Sequence, residues 1–212
     1  MLNNLLNTIQ NIDCLDGFKL IPNESIDIIL TDPPYGLQKT GIDNDHDLSL
    51  FYKILPESER VLKPDAFFIT FFSTKFLPQI FNHNPFKYFW TFILYCPNGR
   101  VSSPIGFSKY MLCVVFKKGN PKMAKKGKDI FPDTPGTMIE PDEGFINHPT
   151  PKAKTFIKEI LSLFSKENDI ILDPFVGSGS TAVACKQLKR NYIGFETNKD
   201  YCQLAISRLK KF

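Results

Sequence analysis

The chain contains 212 residues, of which 42% are hydrophobic and 23% are charged. These values are typical of an ordinary globular protein with enough apolar surface for a core. The net charge of +4 is too small, by itself, to indicate a nucleic-acid-binding protein. We expect a single domain over residues 1–212 with a modest insert.

The chain carries no pattern of a secreted, membrane or zinc-binding protein. Its first residues lack the basic start and long apolar core of a signal peptide. Lys75 and Pro97 interrupt the most apolar region, which is therefore too short for a membrane span. The five cysteines are scattered without a CxxC pair, which indicates free thiols and no metal site. We therefore expect a soluble, cytoplasmic protein.

Short β-rich runs alternate with amphipathic helical patterns, which predicts an α/β domain with a largely parallel sheet. The predicted strands are Thr8–Asp13, Ile26–Thr31, Ala66–Phe72, Phe89–Tyr95, Met111–Lys117, Asp169–Leu172 and Asn191–Glu196. The predicted helices are Leu15–Ile21, Ser49–Leu62, Lys152–Phe164, Ser180–Lys189 and Lys199–Lys210.

The region from Pro97 to Pro151 has a different composition from the rest of the chain. It holds 8 of the 16 prolines and little periodicity apart from the strand at Met111. Within it, residues 117–128 (KKGNPKMAKKGK) include six lysines and no acid. Taken alone, such a run indicates a solvated loop as readily as a binding surface.

The first motif that suggests chemistry is DPPY, residues 32–35, at the end of the apolar run Ile28–Leu30. The prolines donate no backbone hydrogen bond, so they end a strand. A carboxylate, a rigid carbonyl and an aromatic ring then lie together at the end of a buried strand. A proline-rich turn without function is the simpler alternative.

The second motif is DPFVGSGST, residues 173–181, a predicted strand end, glycine turn and helix start. Gly177 and Gly179 allow a tight bend and close approach to a ligand. Glu196, 19 residues after Gly177, ends the next apolar run, where a carboxylate can bind both ribose hydroxyls of an adenosine cofactor.

This second motif leaves two other interpretations open. With Ala182, the two glycines also satisfy the dinucleotide fingerprint of nicotinamide dehydrogenases, and a tight turn without ligand is the third interpretation. The Asp173-Pro174 pair is foreign to the dinucleotide pattern, and only one β-α-β unit follows the loop. DPPY also has no use in hydride transfer, so an adenosine cofactor other than a dinucleotide is favoured.

The two motifs together resemble the S-adenosylmethionine-dependent amino-methyltransferases of DNA. Their order, with DPPY first and the cofactor loop last, is similar to the circularly permuted β group of that family. The resemblance covers almost the whole chain, with Ile12-Asp13 in place of a Gly-Asp pair and HPTPKA in place of HPTQKP. It implies a Rossmann-like, doubly wound, mostly parallel sheet with an antiparallel edge hairpin.

The resemblance also implies the site residues and the cofactor, S-adenosylmethionine. The residues implied to be catalytic are Asp32, Pro33, Pro34 and Tyr35. Those implied to bind the cofactor are Asp13, Cys14, Asp32, Thr150, Lys152, Asp173, Phe175, Gly177, Gly179 and Glu196. Residues 97–147 would form a target-recognition insert, in which the DNA-binding lysines are Lys117, Lys118, Lys122, Lys125, Lys126 and Lys128.

DPPY favours the N6 amine of adenine in double-stranded DNA, by resemblance. The N4 amine of cytosine and RNA adenine stay open as substrates, and a nucleic-acid-binding module without turnover is the alternative of another class. Covalent attack through a cysteine is not indicated, because Cys96-Pro97 reverses the order found in ring-carbon methyltransferases. A homodimer and a cognate restriction endonuclease are further partners that the resemblance allows.

Overall fold

A computed structural model describes residues 2–34, 47–96, 101–103, 105–131, 139–140, 144–146 and 152–212. Its strands are β1 (Thr8–Gln10), β2 (Ile26–Thr31), β3 (Leu62–Phe72), β4 (Lys87–Tyr95), β5 (Val101–Ser103), β6 (Gly106–Ser108), β7 (Tyr110–Lys118), β8 (Ile130–Phe131), β9 (Ile139–Glu140), β10 (Gly144–Phe145), β11 (Ile170–Asp173) and β12 (Asn191–Phe195). Its α-helices are α1 (Cys14–Lys19), α2 (Ser49–Val61), α3 (Lys154–Phe164), α4 (Ser180–Gln187) and α5 (Lys199–Leu209), and two 3₁₀ helices span Leu2–Asn4 and Thr74–Phe81.

The main sheet has eight strands in the order β1-β12-β11-β2-β3-β7-β4-β8. Only β7 runs antiparallel to its neighbours, β3 and β4, and every other pairing in this sheet is parallel. The late strand β11 pairs with the early strand β2, as the permuted order of the motifs predicts. The predicted fold class is confirmed, with the β4–β7 hairpin bordered by the two-residue strand β8.

The sheet is covered on both faces because its central strands bury side chains on both sides. Ile28 and Leu30 of β2 pack into a core with α3, α4 and α5. Ile26 and Ile29, on the opposite face, pack into a second core with α1 and α2. The result is a three-layer sandwich in which helices cover both faces of the sheet.

All predicted strands and helices are present, and the differences lie mostly at their ends. β1 stops at Gln10 instead of Asp13, because Asp13 accepts a hydrogen bond from the Leu15 amide at 2.8 Å and caps α1. β3 begins at Leu62, four residues before the predicted start. The 3₁₀ helix Thr74–Phe81 was not predicted, and Ser73 caps it.

Candidate active site

The two sequence motifs meet at the carboxyl edge of the sheet. Ile28 and Ile29 of β2 pair with Ile171 and Leu172 of β11, so the residues that follow these strands are neighbours. The Thr31 hydroxyl donates to Asp173 Oδ1 at 3.1 Å, across 142 residues of sequence. Ligands of open α/β sheets bind at this edge, which makes it the candidate active site.

Asp32 is half-buried and its two carboxylate oxygens differ in environment. Oδ2 forms an ion pair with the Lys152 ammonium. Oδ1 is buried and has no hydrogen-bond partner among the described residues. A buried acceptor without a partner costs free energy of about 1–3 kcal/mol, so Oδ1 is a candidate acceptor for a group of the substrate. Pro33 and Pro34 follow, both buried.

The glycine loop between β11 and α4 has the strained geometry that its sequence requires. Gly177 and Gly179 have φ values of +50° and +84°, which are unfavourable for other residues. The Glu196 carboxylate holds the loop: Oε2 accepts from the Gly177 amide at 2.9 Å, and Oε1 accepts from the Asn198 amide at 2.8 Å. A carboxylate has acceptor sites for about four hydrogen bonds, so these two are compatible with ribose contacts.

An open cleft runs beside this loop and encloses about 320 Å³ of space, part of it open to solvent. Its walls contain the carboxylates of Asp13 and Glu196 and mostly apolar side chains. Burial, reinforced by the charge of Asp13, raises the pKa of Cys14 to about 12. This thiol therefore lines the cleft in its uncharged form. The lining residues are Ile12, Asp13, Cys14, Pro34, Leu50, Pro174, Phe175, Phe195, Glu196 and Thr197.

Asp173 lies under the site, 5% exposed. Its Oδ1 accepts from the Phe175 amide at 3.1 Å and from Thr31. Burial raises the pKa of its carboxyl to about 7, against the opposing effect of hydrogen bonds from Thr181, Phe175 and Thr31. These contacts join β2 to the glycine loop, while the predicted contact between Asp173 and the cofactor stays a prediction.

Arg208 of α5 is a site residue that the sequence did not indicate. It is 2% exposed, and its Nη1 donates to the Ser178 carbonyl at 2.5 Å and to the Ser178 and Ser180 hydroxyls at 3.2 Å. The accepting residues, Ser178 and Ser180, flank Gly179 in the sequence, so Arg208 holds the glycine loop in place. The only signal in the sequence was a helical spacing that also suits an exposed arginine.

We expect Arg208→Met to weaken cofactor binding, because three polar atoms of the glycine loop lose their donor. Loss of a charge-assisted bond costs about 1.5–3 kcal/mol, so the Kd for S-adenosylmethionine should rise by about tenfold or more. Calorimetric titration would measure it, with the exposed Lys211→Met as matched control. An unchanged Kd in a folded variant would contradict this role.

The lysine run begins at the opposite edge of the sheet. Its last member, Lys128, lies two residues before Ile130, which pairs with Ile93 at the level of Phe72. Lys118 pairs with Ala66, whereas Thr31 pairs with Thr70 of the same strand, a separation of roughly 13 Å at about 3.3 Å per residue. The Lys118 ammonium donates to the Glu59 and Leu62 carbonyls, both at 2.7 Å. Lys125 donates its amide to the Leu163 carbonyl at the far end of α3. Lys122, Lys125, Lys126 and Lys128 are exposed.

Tyr35 and Thr150, two of the predicted site residues, lie outside the described residues. Within the described ranges, no group of three or more His, Cys, Asp or Glu side chains is placed to hold a metal. No helix in that part of the chain is long and apolar enough to cross a membrane. All five cysteines are described, and each is a free, buried thiol.

Solved methyltransferases share this fold. The structure of the M1.HpyAVI-SAM complex superposes with a TM-score of 0.74 over 95% of this chain and 98% of that one, at 24% identity. The PvuII DNA methyltransferase (cytosine-N4-specific) superposes with a TM-score of 0.78 over 94% and 85%, at 19% identity. These likenesses confirm the fold.

Curated relatives match along nearly the whole chain. The type II methyltransferase M.HinfI of Haemophilus influenzae is 28% identical over 99% of this chain and 70% of its own length. The type II methyltransferase M.HpaI of Haemophilus parainfluenzae is 28% identical over 94% and 74%.

The family model described as DNA methylase (N6_N4_Mtase) matches residues 26–207, which include both motifs. The match confirms the predicted methyltransferase activity and the predicted cofactor, S-adenosylmethionine. The family includes both N6-adenine and N4-cytosine methyltransferases. The chain belongs to this family of DNA amino-methyltransferases.

Proposed function

We propose that this DNA methyltransferase acts on the N6 amine of adenine in double-stranded DNA. The observation that carries the proposal is the buried Oδ1 of Asp32, an acceptor without a partner among the described residues, next to the Pro33 carbonyl. The preference for adenine rests on the resemblance of DPPY to the adenine-specific members of the family. N4 of cytosine is the second candidate, since the fold is shared with a cytosine-specific enzyme.

The two acceptors of DPPY suit an exocyclic amine, a poor nucleophile because its lone pair is delocalised into the ring. Asp32 Oδ1 and the Pro33 carbonyl would each accept one hydrogen of the amine and so localise the lone pair on nitrogen. Both acceptors are preorganised at the end of β2. The target base must leave the duplex to reach them, at a cost of about a few kcal/mol, and Tyr35 would stack against its ring.

On the other side of the site, the cleft residues would hold the cofactor, which supplies an electrophilic methyl group when bound. We propose that Glu196 binds the ribose and that Asp13 and Cys14 border the adenine ring. Phe175, Gly177 and Gly179 would contact the methionine portion. The match of the family model to both motifs supports this assignment over a dinucleotide.

We propose that the single domain carries its recognition insert at residues 97–147. Tyr95 and Tyr110 pair at the same sheet edge as Asp32, so the antiparallel pair β5–β6 follows at the active-site side. Ile105, beside the turn of this pair, is 99% exposed. A β-ribbon with an apolar tip is one of the elements that proteins place in DNA grooves, which supports DNA contact here.

The exposed lysines of the run 117–128 are proposed as an accessory phosphate contact, because the run begins at the edge of the sheet opposite the catalytic one. Replacing Lys125, Lys126 and Lys128 with alanine should weaken binding to every duplex alike. The slope of log K against log salt should flatten by up to about 3, since each phosphate contact contributes about 0.9. Fluorescence anisotropy on cognate and scrambled duplexes across a salt series would measure it.

In the same series, Lys118→Ala is a separate control, because its ammonium binds two backbone carbonyls. It should lower the unfolding temperature and leave the salt slope alone. An unchanged slope in the triple variant would remove the run from the DNA-binding surface and leave the insert as the main contact.

The choice of base is tested by nucleoside mass spectrometry of methylated mixed-sequence DNA. N6-methyladenine is the expected product, and N4-methylcytosine would overturn the choice of adenine. A homodimer and a cytoplasmic location also stay proposals. So does a cognate restriction endonuclease, with which the type II names of the relatives are consistent.

A further inference from the structure

The side chain of Lys152 reaches the catalytic edge from the residues just before α3. Its ammonium binds Asp32 Oδ2 and lies 5.5 Å from the centre of the Phe71 ring. Only 12% of the side chain is exposed. Two contacts with different strands, β2 and β3, therefore fix this ammonium in one place.

The ion pair with Lys152 involves only one oxygen of the Asp32 carboxylate. Oδ2 is bound, whereas Oδ1 is buried and without a partner among the described residues. Rotation of the carboxylate would exchange the two oxygens and break a charge-assisted bond, which is among the stronger hydrogen bonds in proteins. Lys152 thus holds the carboxylate in one orientation, which leaves one oxygen available to a substrate.

Two other ionisable side chains lie near Asp32. The carboxyl of Asp173 and the buried Cys113 both interact electrostatically with Asp32, and neither is a cation. Among the described residues, the Lys152 ammonium is the cationic group in contact with Asp32.

We propose that Lys152 is a positioning residue for methyl transfer: it binds Oδ2 of Asp32 and so directs Oδ1 at the hydrogen of the target amine. The inference rests on the proposed role of Asp32. It differs from the role that the sequence suggested for Lys152, a contact with the amino-acid end of the cofactor. The two roles are separable, because one acts on the methyl-transfer rate and the other on cofactor affinity.

The test compares Lys152→Met with Lys152→Arg in single-turnover methylation, together with titrations of S-adenosylmethionine and DNA. Misplacement of a reacting group by about 1 Å costs about 10²-fold, so Lys152→Met should lose about that factor in rate. The Kd values for cofactor and DNA should change by less than about threefold, which corresponds to about 0.7 kcal/mol. Lys152→Arg should recover much of the rate, since guanidinium also binds carboxylate.

A double-mutant cycle with Asp32→Asn shows whether Lys152 acts through Asp32. If it does, Lys152→Met should have little further effect in the Asp32→Asn background. Additive losses, or a cofactor Kd that rises in parallel with the lost rate, would overturn the proposal. If Asp32→Asn leaves no measurable rate, absence of recovery in Lys152→Arg overturns it instead. Failure of the proposed function would look different: Asp32→Ala would then retain activity.

Discussion

Asp32→Ala is expected to abolish methyl transfer while cofactor binding stays nearly unchanged. The variant removes a buried acceptor that has no hydrogen-bond partner among the described residues. Loss of a preorganised group that stabilises developing charge typically costs about 10²–10³-fold in rate. Single-turnover assays with DNA and calorimetry with S-adenosylmethionine would measure the two quantities separately.

Glu167→Ala is the matched control for loss of a carboxylate. Glu167 is 60% exposed and pairs with Lys189 at 3.7 Å, away from the catalytic edge. Its rate should equal that of the unaltered protein. A rate for Asp32→Ala within about tenfold of the unaltered protein would contradict its catalytic role, since that is well below the loss expected for such a group.

Gly179→Val should have the second large effect, on the cofactor. A Cβ atom at this position would lie 2.6 Å from Ala205 Cβ and 3.0 Å from Ala205 Cα, and φ is +84°. Strain of this kind costs about 1–3 kcal/mol before any collision is counted. We expect loss of measurable S-adenosylmethionine binding by calorimetry and a lower unfolding temperature.

A second substitution separates the two causes of that loss, the collision with Ala205 and the backbone strain at position 179. Gly179→Ala combined with Ala205→Gly removes the contact between the two Cβ atoms and leaves the backbone strain. Cofactor affinity should recover in part relative to Gly179→Ala alone. No recovery would show that the collision with α5 is not what damages the loop.

The sequence was sufficient to predict the parts of the site that depend on local backbone chemistry. The prolines after Asp32 mark a strand end, and the glycines of 173–181 mark a tight turn, because few other residues allow these conformations. The order of the motifs predicted a circularly permuted sheet, and the structure pairs the late strand β11 with the early strand β2.

The parts that the sequence did not predict depend on packing between distant elements. The pair of Lys152 with Asp32 spans 120 residues, and the support of Ser178 by Arg208 comes from a different helix. Neither contact leaves a periodic or compositional signal. The lysine run was predicted from composition alone, which carries no information about which edge of the sheet it borders.

The most direct test of the methyltransferase assignment measures transfer of labelled methyl groups from S-adenosylmethionine to mixed-sequence duplex DNA, with RNA in parallel. The unaltered protein should label DNA at one kind of amino group, Asp32→Ala should not, and RNA should stay unlabelled. Absence of label in DNA with a protein that binds S-adenosylmethionine, or label in RNA alone, would contradict the assignment of Asp32 and its neighbours to methyl transfer on DNA.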